Sequence, residues 1–255
     1  MHMKTLLPAV ALAAMLGFGQ VAQADILTIL PLVGGGPASG ADYVTFDDLP
    51  AGAVGGTAAN ASGSADGGSI GVAFTPDAQA VSGSSSGYYA APYLSGDNGT
   101  AFGQGAGQDG TQYITSGSDG DGTTSSAVTL LFNGPQEYLG LLWGSVDLYN
   151  TLNFYNGSTF VGSISGGDVN AVANGDQGAN GTYYVNINSA LPFDTVVAVS
   201  TQYAFEFDNV AYAGGQANPS AVGLTVAPEP GSLIVWSLLG LTIGGTSWRR
   251  RNRSA

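Results

Sequence analysis

Cysteine is absent from this 255-residue sequence, and basic residues are nearly absent. Lys4 and the arginines at positions 249, 250, 251 and 253 are its only lysines and arginines, and His2 is its single histidine. Residues 25–227 therefore contain no Lys, Arg, His or Cys. In that part of the chain, this composition excludes disulfides, zinc sites built on His or Cys, Schiff-base lysines and nucleophiles activated by an imidazole.

Acidic residues, in contrast, number 18, run from Asp25 to Glu229 and give the chain a net charge of −13. A domain this acidic is not expected to bind nucleic acid, because neutralising phosphates requires Lys or Arg. Without basic partners, each carboxylate must face water, accept hydrogen bonds or bind a cation. Carboxylate chemistry and the binding of hard cations are the classes that the composition leaves open.

The first 24 residues have the layout of a secretory signal peptide. Lys4 provides a positive start, residues 6–18 are mostly apolar, and Ala22 and Ala24 fit the small-residue cleavage pattern. We therefore expect signal peptidase to cut after Ala24 and the chain to be exported. An uncleaved N-terminal anchor is the alternative.

The C-terminal residues combine three features in a fixed order. They are a proline motif, an uncharged stretch and a basic cluster: Pro228, Glu229 and Pro230; residues 232–248; and Arg249, Arg250 and Arg251. A helix over the uncharged stretch would be about 26 Å long, at the short end of what spans a bilayer. The arginines should stay on the cytoplasmic side. These features predict a single C-terminal transmembrane helix.

This layout resembles the PEP-CTERM sorting signal, whose name-giving motif matches residues 228–230. The resemblance covers residues 228–253. It implies that an exosortase, a membrane-embedded transpeptidase-like enzyme, cuts near the motif and passes the protein from the inner membrane to the cell surface. Because exosortase systems usually accompany exopolysaccharide production, it also implies a place in the extracellular matrix or biofilm. A plain tail anchor with an incidental Pro-Glu-Pro is the alternative.

Residues 42–215 have the pattern of an all-β domain, between a lead-in at 25–41 and a linker at 216–227. Short runs bounded by turn residues predict strands at 43–46, 70–75, 127–132, 138–146, 151–155, 159–164, 182–187, 196–199 and 204–212. Asn156 and Gly157 between two such runs predict a hairpin. The 41 glycines argue against long helices. We expect an antiparallel β-sandwich whose strand order resembles that of jelly rolls.

Acids without basic partners suggest a divalent-cation site. Asp47 and Asp48 end the first predicted strand of the domain, and Asp208 and Asn209 lie in the last. Pairing of the first and last strands, common in jelly rolls, would bring these residues together as oxygen ligands for Ca²⁺. Strict alternation, however, would put Asn209 on the opposite face of the strand from Asp208. The alternative is that Asp47 and Asp48 cap a turn while Asp208 faces solvent.

Two further sets of residues suggest contact with carbohydrate. Tyr88, Tyr89 and Tyr113 occur in a Gly/Ser-rich stretch with few aliphatic residues, as tyrosines exposed for stacking on sugars would. Packing over the edge of the sandwich is the alternative. Glu137 and Glu206, the only glutamates of residues 25–227, are the candidates for the carboxylate pair of a glycoside hydrolase. The alternative for both is an ordinary solvated acid.

From these patterns we expect an exported cell-surface or matrix protein without enzymatic activity, either structural or associated with exopolysaccharide. A lectin-like carbohydrate-binding module is the alternative, and a glycoside hydrolase using carboxylates is a further one. Ca²⁺ is the one cofactor that the sequence suggests.

Overall fold

The computed structural model describes residues 26–52, 55–59, 69–75, 77–116 and 126–218. The predicted signal peptide, with Ala22 and Ala24, and the predicted sorting signal at 228–253 lie outside these residues. Within the described ranges, no helix is long and apolar enough to cross a membrane.

Strands dominate the described ranges. They are β1 (Leu27–Leu32), β2 (Asp42–Val44), β3 (Gly55–Ala59), β4 (Ser69–Phe74), β5 (Gln79–Val81), β6 (Tyr93–Leu94), β7 (Gly107–Gln108), β8 (Tyr113–Ser116), β9 (Ser126–Gly144), β10 (Asn150–Asn156), β11 (Thr159–Ser165), β12 (Tyr183–Ser200) and β13 (Phe205–Ala213). Helical structure in these ranges is limited to α1 (Asp97–Thr100), α2 (Gly166–Val169) and a 3₁₀ turn (Ala179–Gly181). The all-β prediction is confirmed.

Eleven of the described strands form one antiparallel sheet, and β6 pairs with β7 separately. The main path of the sheet runs β11-β10-β12-β9-β13-β8-β5. From this path β1 extends along β12, β2 along β13, and the β3–β4 pair along β9. The predicted pairing of the first strand of the domain with the last is observed, since Val44 lies opposite Val210.

Two long strands, β9 and β12, pair with each other in two separate stretches, and these stretches divide the sheet into two halves. The first part of β9, to Leu131, pairs with the last part of β12, whereas Tyr138–Trp143 pairs with the first part of β12. The register shifts between Asn188 and Phe193, where the paired strands bend. The prediction of two separate strands around Pro135 is therefore wrong. The proline lies where ladder pairing is interrupted, so its missing N–H costs no ladder bond and the strand continues.

The bend allows the two halves of the sheet to share one core, which gives the sandwich-like arrangement. Phe132 of β9 packs against Phe193 of β12, with ring centroids 5.8 Å apart, and against Tyr212 of β13 at 5.1 Å. Trp143, fully buried, stacks on Phe205 at 4.4 Å. Each such aromatic side chain contributes roughly 1.5 to 3 kcal/mol by burial. The core therefore fixes which face of β13 points inward.

A bulge in β13 decides where its polar residues lie. Phe205 and Phe207 belong to the core, as do Val210 and Tyr212. This spacing breaks strict alternation, because Asn209 adopts a positive φ of 51° and the pairing with β9 shifts between Asp208 and Ala211. The side chain of Asn209 is bonded to residues outside the core, as that of Asp208 is. The prediction that the two point to opposite faces is wrong for this reason.

The β10–β11 hairpin and the lead-in at 25–41 both contribute to the sheet. The predicted hairpin joins β10 and β11, but its two-residue turn is Gly157 and Ser158, because Asn156 still pairs with Thr159; Gly157 takes the positive φ, 55°, that such a turn favours. The lead-in contributes a strand, because β1 pairs with β12 from Leu27 to Leu32. The sheet therefore begins before residue 42.

Candidate functional site

Residues 84–111 lie over the outer face of β13, the face that points away from the core. Ala90 bonds to Glu206, and both Asn98 and Gln104 bond to Asn209. Two polar sites are formed between this covering segment and β13. One surrounds Glu206 and opens into a cavity, and the other surrounds Asp208.

The first site, called here the tyrosine cavity, has a volume of about 590 Å³. Its walls come from four parts of the chain that meet at one end of β13. These parts are residues 84–90, residues 145–149, residues 174–177 and residues 203–206. Hydroxyl, amide and carboxyl groups line it together with several tyrosine rings, which is a mixture suited to a polar ligand with apolar faces.

Glu206 lies at the buried end of the tyrosine cavity, with 2% of its surface exposed. One carboxyl oxygen accepts a hydrogen bond from the Ala90 N–H at 2.8 Å, and the other accepts one from the Ser145 hydroxyl at 2.6 Å. Burial raises the pKa of Glu206 to about 7, although these two hydrogen bonds oppose the shift, and the charge of Asp147 adds to it. Glu206 therefore changes charge near neutral pH.

The backbone of Ser145 is adapted to this contact. Ser145 directly follows β9 and has a positive φ of 39°, which a residue with a side chain rarely adopts. Together with Phe46 and Asn209 it is one of three non-glycine residues with positive φ in the described part of the chain. Such strain persists only where surrounding structure maintains it, and at Ser145 the hydroxyl is directed at Glu206.

Asp147 is the second carboxylate in the cavity. It is half-buried and accepts a hydrogen bond from the Tyr149 hydroxyl at 2.7 Å, and burial raises its pKa while this bond lowers it. The same hydroxyl contacts the carbonyl oxygen of Tyr203. Gly175 makes room for the carboxylate, since a Cβ there would lie 2.9 Å from Asp147 Oδ1. The Tyr149 hydroxyl and the space beside Gly175 thus set the position of Asp147.

Tyrosines border the opening of the cavity. Tyr88 is 47% exposed, and its ring centroid is 6.1 Å from that of Tyr203. Tyr89 also lines the cavity and is half-buried, with its ring 6.5 Å from that of Tyr113. Tyr88 is therefore exposed, as the sequence suggested, whereas Tyr89 is only partly so, and contact of either with a glycan stays a prediction.

Tyr113 requires a correction, because it is fully buried. Its hydroxyl donates to the carbonyl oxygen of Gly83 at 2.6 Å, and burial raises its pKa. The side chain is bonded to the backbone just before the covering segment and has no surface for stacking on a sugar. Tyr113 belongs to β8, whose four residues are all buried, whereas Tyr88 and Tyr89 lie outside the strands; composition alone could not show this difference.

The two glutamates suggested as a catalytic pair do not line one cavity. Glu137 is half-buried on β9 and is absent from the lining of the tyrosine cavity. The acid that shares the cavity with Glu206 is Asp147, which the sequence analysis did not single out. The position of Asp147, just after the most apolar strand, could have indicated it, because loops that follow central strands often carry functional groups.

The second site, called here the aspartate cluster, consists of Asp109, Asp208 and Asn209, each at most 2% exposed. Asp208 Oδ2 lies 3.5 Å from Gln104 Nε2, which also donates at 2.7 Å to the Thr111 hydroxyl that is bonded to Asp109. Burial raises the pKa of Asp208 well above its usual range, and the charge of Asp109 adds to the shift. Asp109 accepts two hydrogen bonds from Thr111, both at its Oδ1.

The Ca²⁺ ligands suggested by the sequence are only partly brought together. Asp208 and Asn209 belong to the aspartate cluster, whereas Asp47 and Asp48 are exposed. Asp47 is still close enough for its charge to raise the pKa of Asp208. In the described ranges, no group of three or more His, Cys, Asp or Glu residues is arranged to bind a metal ion. Any ion at the cluster must therefore also use amide, carbonyl or water oxygens.

No protein-family model, no curated protein and no solved structure matches this chain.

Proposed function

We propose that this chain is an exported cell-surface protein, sorted by an exosortase, that binds polysaccharide in the tyrosine cavity without cleaving it. The signal-peptide pattern at 1–24 and the motif at Pro228, Glu229 and Pro230 support the export route. The tyrosine cavity supports the binding function. We also propose that the domain is a jelly-roll-like sandwich whose binding site lies at one end of β13.

One observation carries the binding proposal: exposed aromatic surface and fixed hydrogen-bonding groups occur in the same cavity. Tyr88 exposes a ring on which the apolar face of a sugar can stack. Asp147, Asn174 and Gln177 line the same cavity and provide oxygens and amide groups for hydroxyls. Stacking with a few directed polar contacts is the general design of a site for a polar small ligand.

The charge of the cavity narrows the class of saccharide. Two carboxyl groups, those of Glu206 and Asp147, line it, and residues 25–227 contain no basic side chain to balance them. An anionic polysaccharide would be repelled by Asp147 and would gain no ion pair. We therefore propose a neutral polysaccharide as the ligand.

Binding is favoured over hydrolysis because of how Glu206 is held. A glycosidase acid must direct its proton at the glycosidic oxygen, and its partner must reach the sugar ring. Each Glu206 oxygen already interacts with a protein group, Ala90 N–H or the Ser145 hydroxyl, and the side chain is almost fully buried. This arrangement supports a structural carboxyl group behind the binding surface.

The experiment is a glycan array probed with the full-length chain in mild detergent, followed by titration of the best neutral glycan. Tyr88→Ala should weaken binding by roughly 5- to 10-fold, the value of one sugar–aromatic stacking contact. Tyr155→Ala is the matched control, because Tyr155 lies on the β10–β11 hairpin against Phe160 and does not line the cavity. The control should bind like the wild type.

Three results would contradict the proposal. They are failure of the wild type to bind any neutral glycan, unchanged affinity of Tyr88→Ala, and an equal loss in both tyrosine variants. Release of reducing ends from the bound glycan would show that the protein hydrolyses it, and the proposed binding function would then give way to a catalytic one. That activity would then have to disappear in Glu206→Gln.

A further inference from the structure

We propose that the aspartate cluster is a calcium site, with Asp109, Asp208 and Asn209 as ligands. This site is separate from the tyrosine cavity and does not depend on the glycan-binding proposal. It differs from the set suggested by the sequence alone, since Asp109 takes the place of both Asp47 and Asp48.

The first argument is charge balance. Asp109 and Asp208 are buried, and Gln104 links them, since its Nε2 contacts both Asp208 Oδ2 and the Thr111 hydroxyl that donates to Asp109. Two carboxylates this close repel each other, and burying them without compensation is costly. Most buried acids are compensated by Lys, Arg or His, but residues 25–227 contain none. A proton or a bound cation must therefore compensate them.

The second argument is that the cluster contains buried oxygens without partners. Asp109 Oδ2, Asp208 Oδ1 and Asn209 Oδ1 are inaccessible to solvent, and none of them accepts a hydrogen bond. Buried polar atoms are almost always bonded, so three acceptors left over in one place indicate a ligand that contributes positive charge or protons. A metal ion satisfies all three at once.

The orientation of the Asn209 amide supports this interpretation. Its Nδ2 donates to the Asn98 carbonyl oxygen at 3.2 Å and to Gln104 Oε1 at 2.6 Å. Exchanging the positions of Nδ2 and Oδ1 would place Oδ1 against two acceptors and lose both bonds. The oxygen is therefore directed away from these partners. The positive φ of Asn209 maintains this placement beside Asp208.

The donor set favours calcium over other metal ions. All three side chains offer oxygen, and the domain has no imidazole or thiolate for zinc or copper. Ca²⁺ takes six to eight oxygens in flexible geometry, so carbonyl groups and water can complete its shell, whereas Mg²⁺ requires a near-ideal octahedron. A cavity of about 260 Å³, lined by Gln104, Asp109 and Thr111, provides room for water beside the cluster. The unpaired Nδ2 of Asn98 would face such a water or a carboxylate, not the ion.

The test uses the full-length chain in mild detergent, stripped of metal with EDTA and titrated with CaCl₂. At a hundred times the dissociation constant, one bound ion should raise Tm by roughly 5 to 10 °C. Asp208→Asn and Asp109→Asn should each lose this rise. Asp194→Asn is the charge-matched control, since Asp194 accepts hydrogen bonds from Gly157 on a distant hairpin and Asn can replace it as acceptor.

A second measurement does not depend on the variants folding. Terbium binds oxygen ligands as calcium does and emits when a nearby tyrosine is excited. The Tyr184 hydroxyl donates to the Asn209 carbonyl oxygen at 3.0 Å, so terbium in the cluster should be sensitised, and CaCl₂ should displace it. MgCl₂ at the same concentration should displace it at least tenfold less well.

Several outcomes would overturn the proposal. No change in Tm at millimolar CaCl₂ would mean that a shared proton or a buried water satisfies the cluster. An equal rise in Asp194→Asn, Asp208→Asn and the wild type, or an equal rise with NaCl of matched ionic strength, would indicate screening of the overall negative charge. Terbium emission that CaCl₂ does not displace would also refute it.

Discussion

Replacing Glu206 by Gln should make the protein more stable at alkaline pH, although it removes a buried side chain that makes two hydrogen bonds. Gln has nearly the same shape, and its carbonyl oxygen can accept from Ala90 N–H as the carboxyl oxygen does. Its amide group can donate to Ser145, because the hydroxyl rotates. The substitution therefore removes the charge and preserves the contacts.

The size of the effect follows from the pKa. Burial raises the pKa of Glu206 from 4.5 to about 7, so the folded protein binds the proton more tightly than the unfolded chain. The contribution of Glu206 is most favourable below pH 4.5 and is lost as the pH rises through 7. The loss amounts to roughly 3 kcal/mol. Gln does not titrate, so its variant does not suffer this loss.

Thermal melting followed by circular dichroism at pH 4.5 and pH 8 measures the difference. At pH 8 the Tm of Glu206→Gln should exceed that of the wild type by roughly 6 to 12 °C, and at pH 4.5 the two should nearly coincide. Other buried acids, including Asp208, affect both proteins equally and cancel in this comparison. Glu137→Gln, at a half-buried position of β9, is the control and should follow the wild type. A difference between Glu206→Gln and the wild type that is the same at both pH values would refute the reasoning.

Two further predictions concern the core and the export route. Phe193→Ala removes a fully buried ring that packs against Phe132 at 5.8 Å and Phe154 at 5.1 Å. It should lower the free energy of unfolding, measured in urea, by about 3 to 5 kcal/mol. Phe160→Ala, at an exposed ring, should lower it by under about 1 kcal/mol. An equal loss of unfolding free energy in the two variants would show that Phe193 is not part of the core that the two halves of the sheet share. Replacing Pro228, Glu229 and Pro230 by Ala should leave the protein in the membrane fraction of a host that has an exosortase, and unchanged release to the surface would show that the motif is not read.

Much of the fold could be predicted because it depends on local signals. Alternation identified most strands of the second half of the chain, and Asn156 with Gly157 identified the hairpin. The continuity of β9 across Pro135 could not be predicted, since a proline ends a strand only where its missing N–H would have paired. Whether that position pairs depends on β12, which is some fifty residues away along the chain.

The candidate sites were predictable in part for a similar reason. Glu206 and Asp208 could be singled out because they are acids in an apolar strand. Asp109 could not, because it lies in a glycine-rich loop without periodicity. Its place beside Asp208 depends on tertiary contacts such as the bond from its own N–H to the Pro92 carbonyl oxygen at 2.8 Å.

The charges of Glu206 and Asp208, the two acids on the outer face of β13, are compensated in different ways. We therefore expect Glu206 to respond to pH and Asp208 to respond to CaCl₂. Glu206 receives a donor at each oxygen, at 2.6 and 2.8 Å, and its protonation requires only that the Ser145 hydroxyl turn from donor to acceptor. Asp208 has a distant side-chain donor, Gln104 at 3.5 Å, while a bond from the Asn209 backbone lowers its pKa, and one of its oxygens has no partner beside a second carboxyl group. Loss or gain of a proton therefore settles the charge at the first position, whereas in our proposal a bound cation compensates the second. It follows that Glu206→Gln should keep the response to CaCl₂ and that Asp208→Asn should keep the pH dependence due to Glu206. A domain that contains acids but no bases would then sense protons and calcium through two residues of one strand.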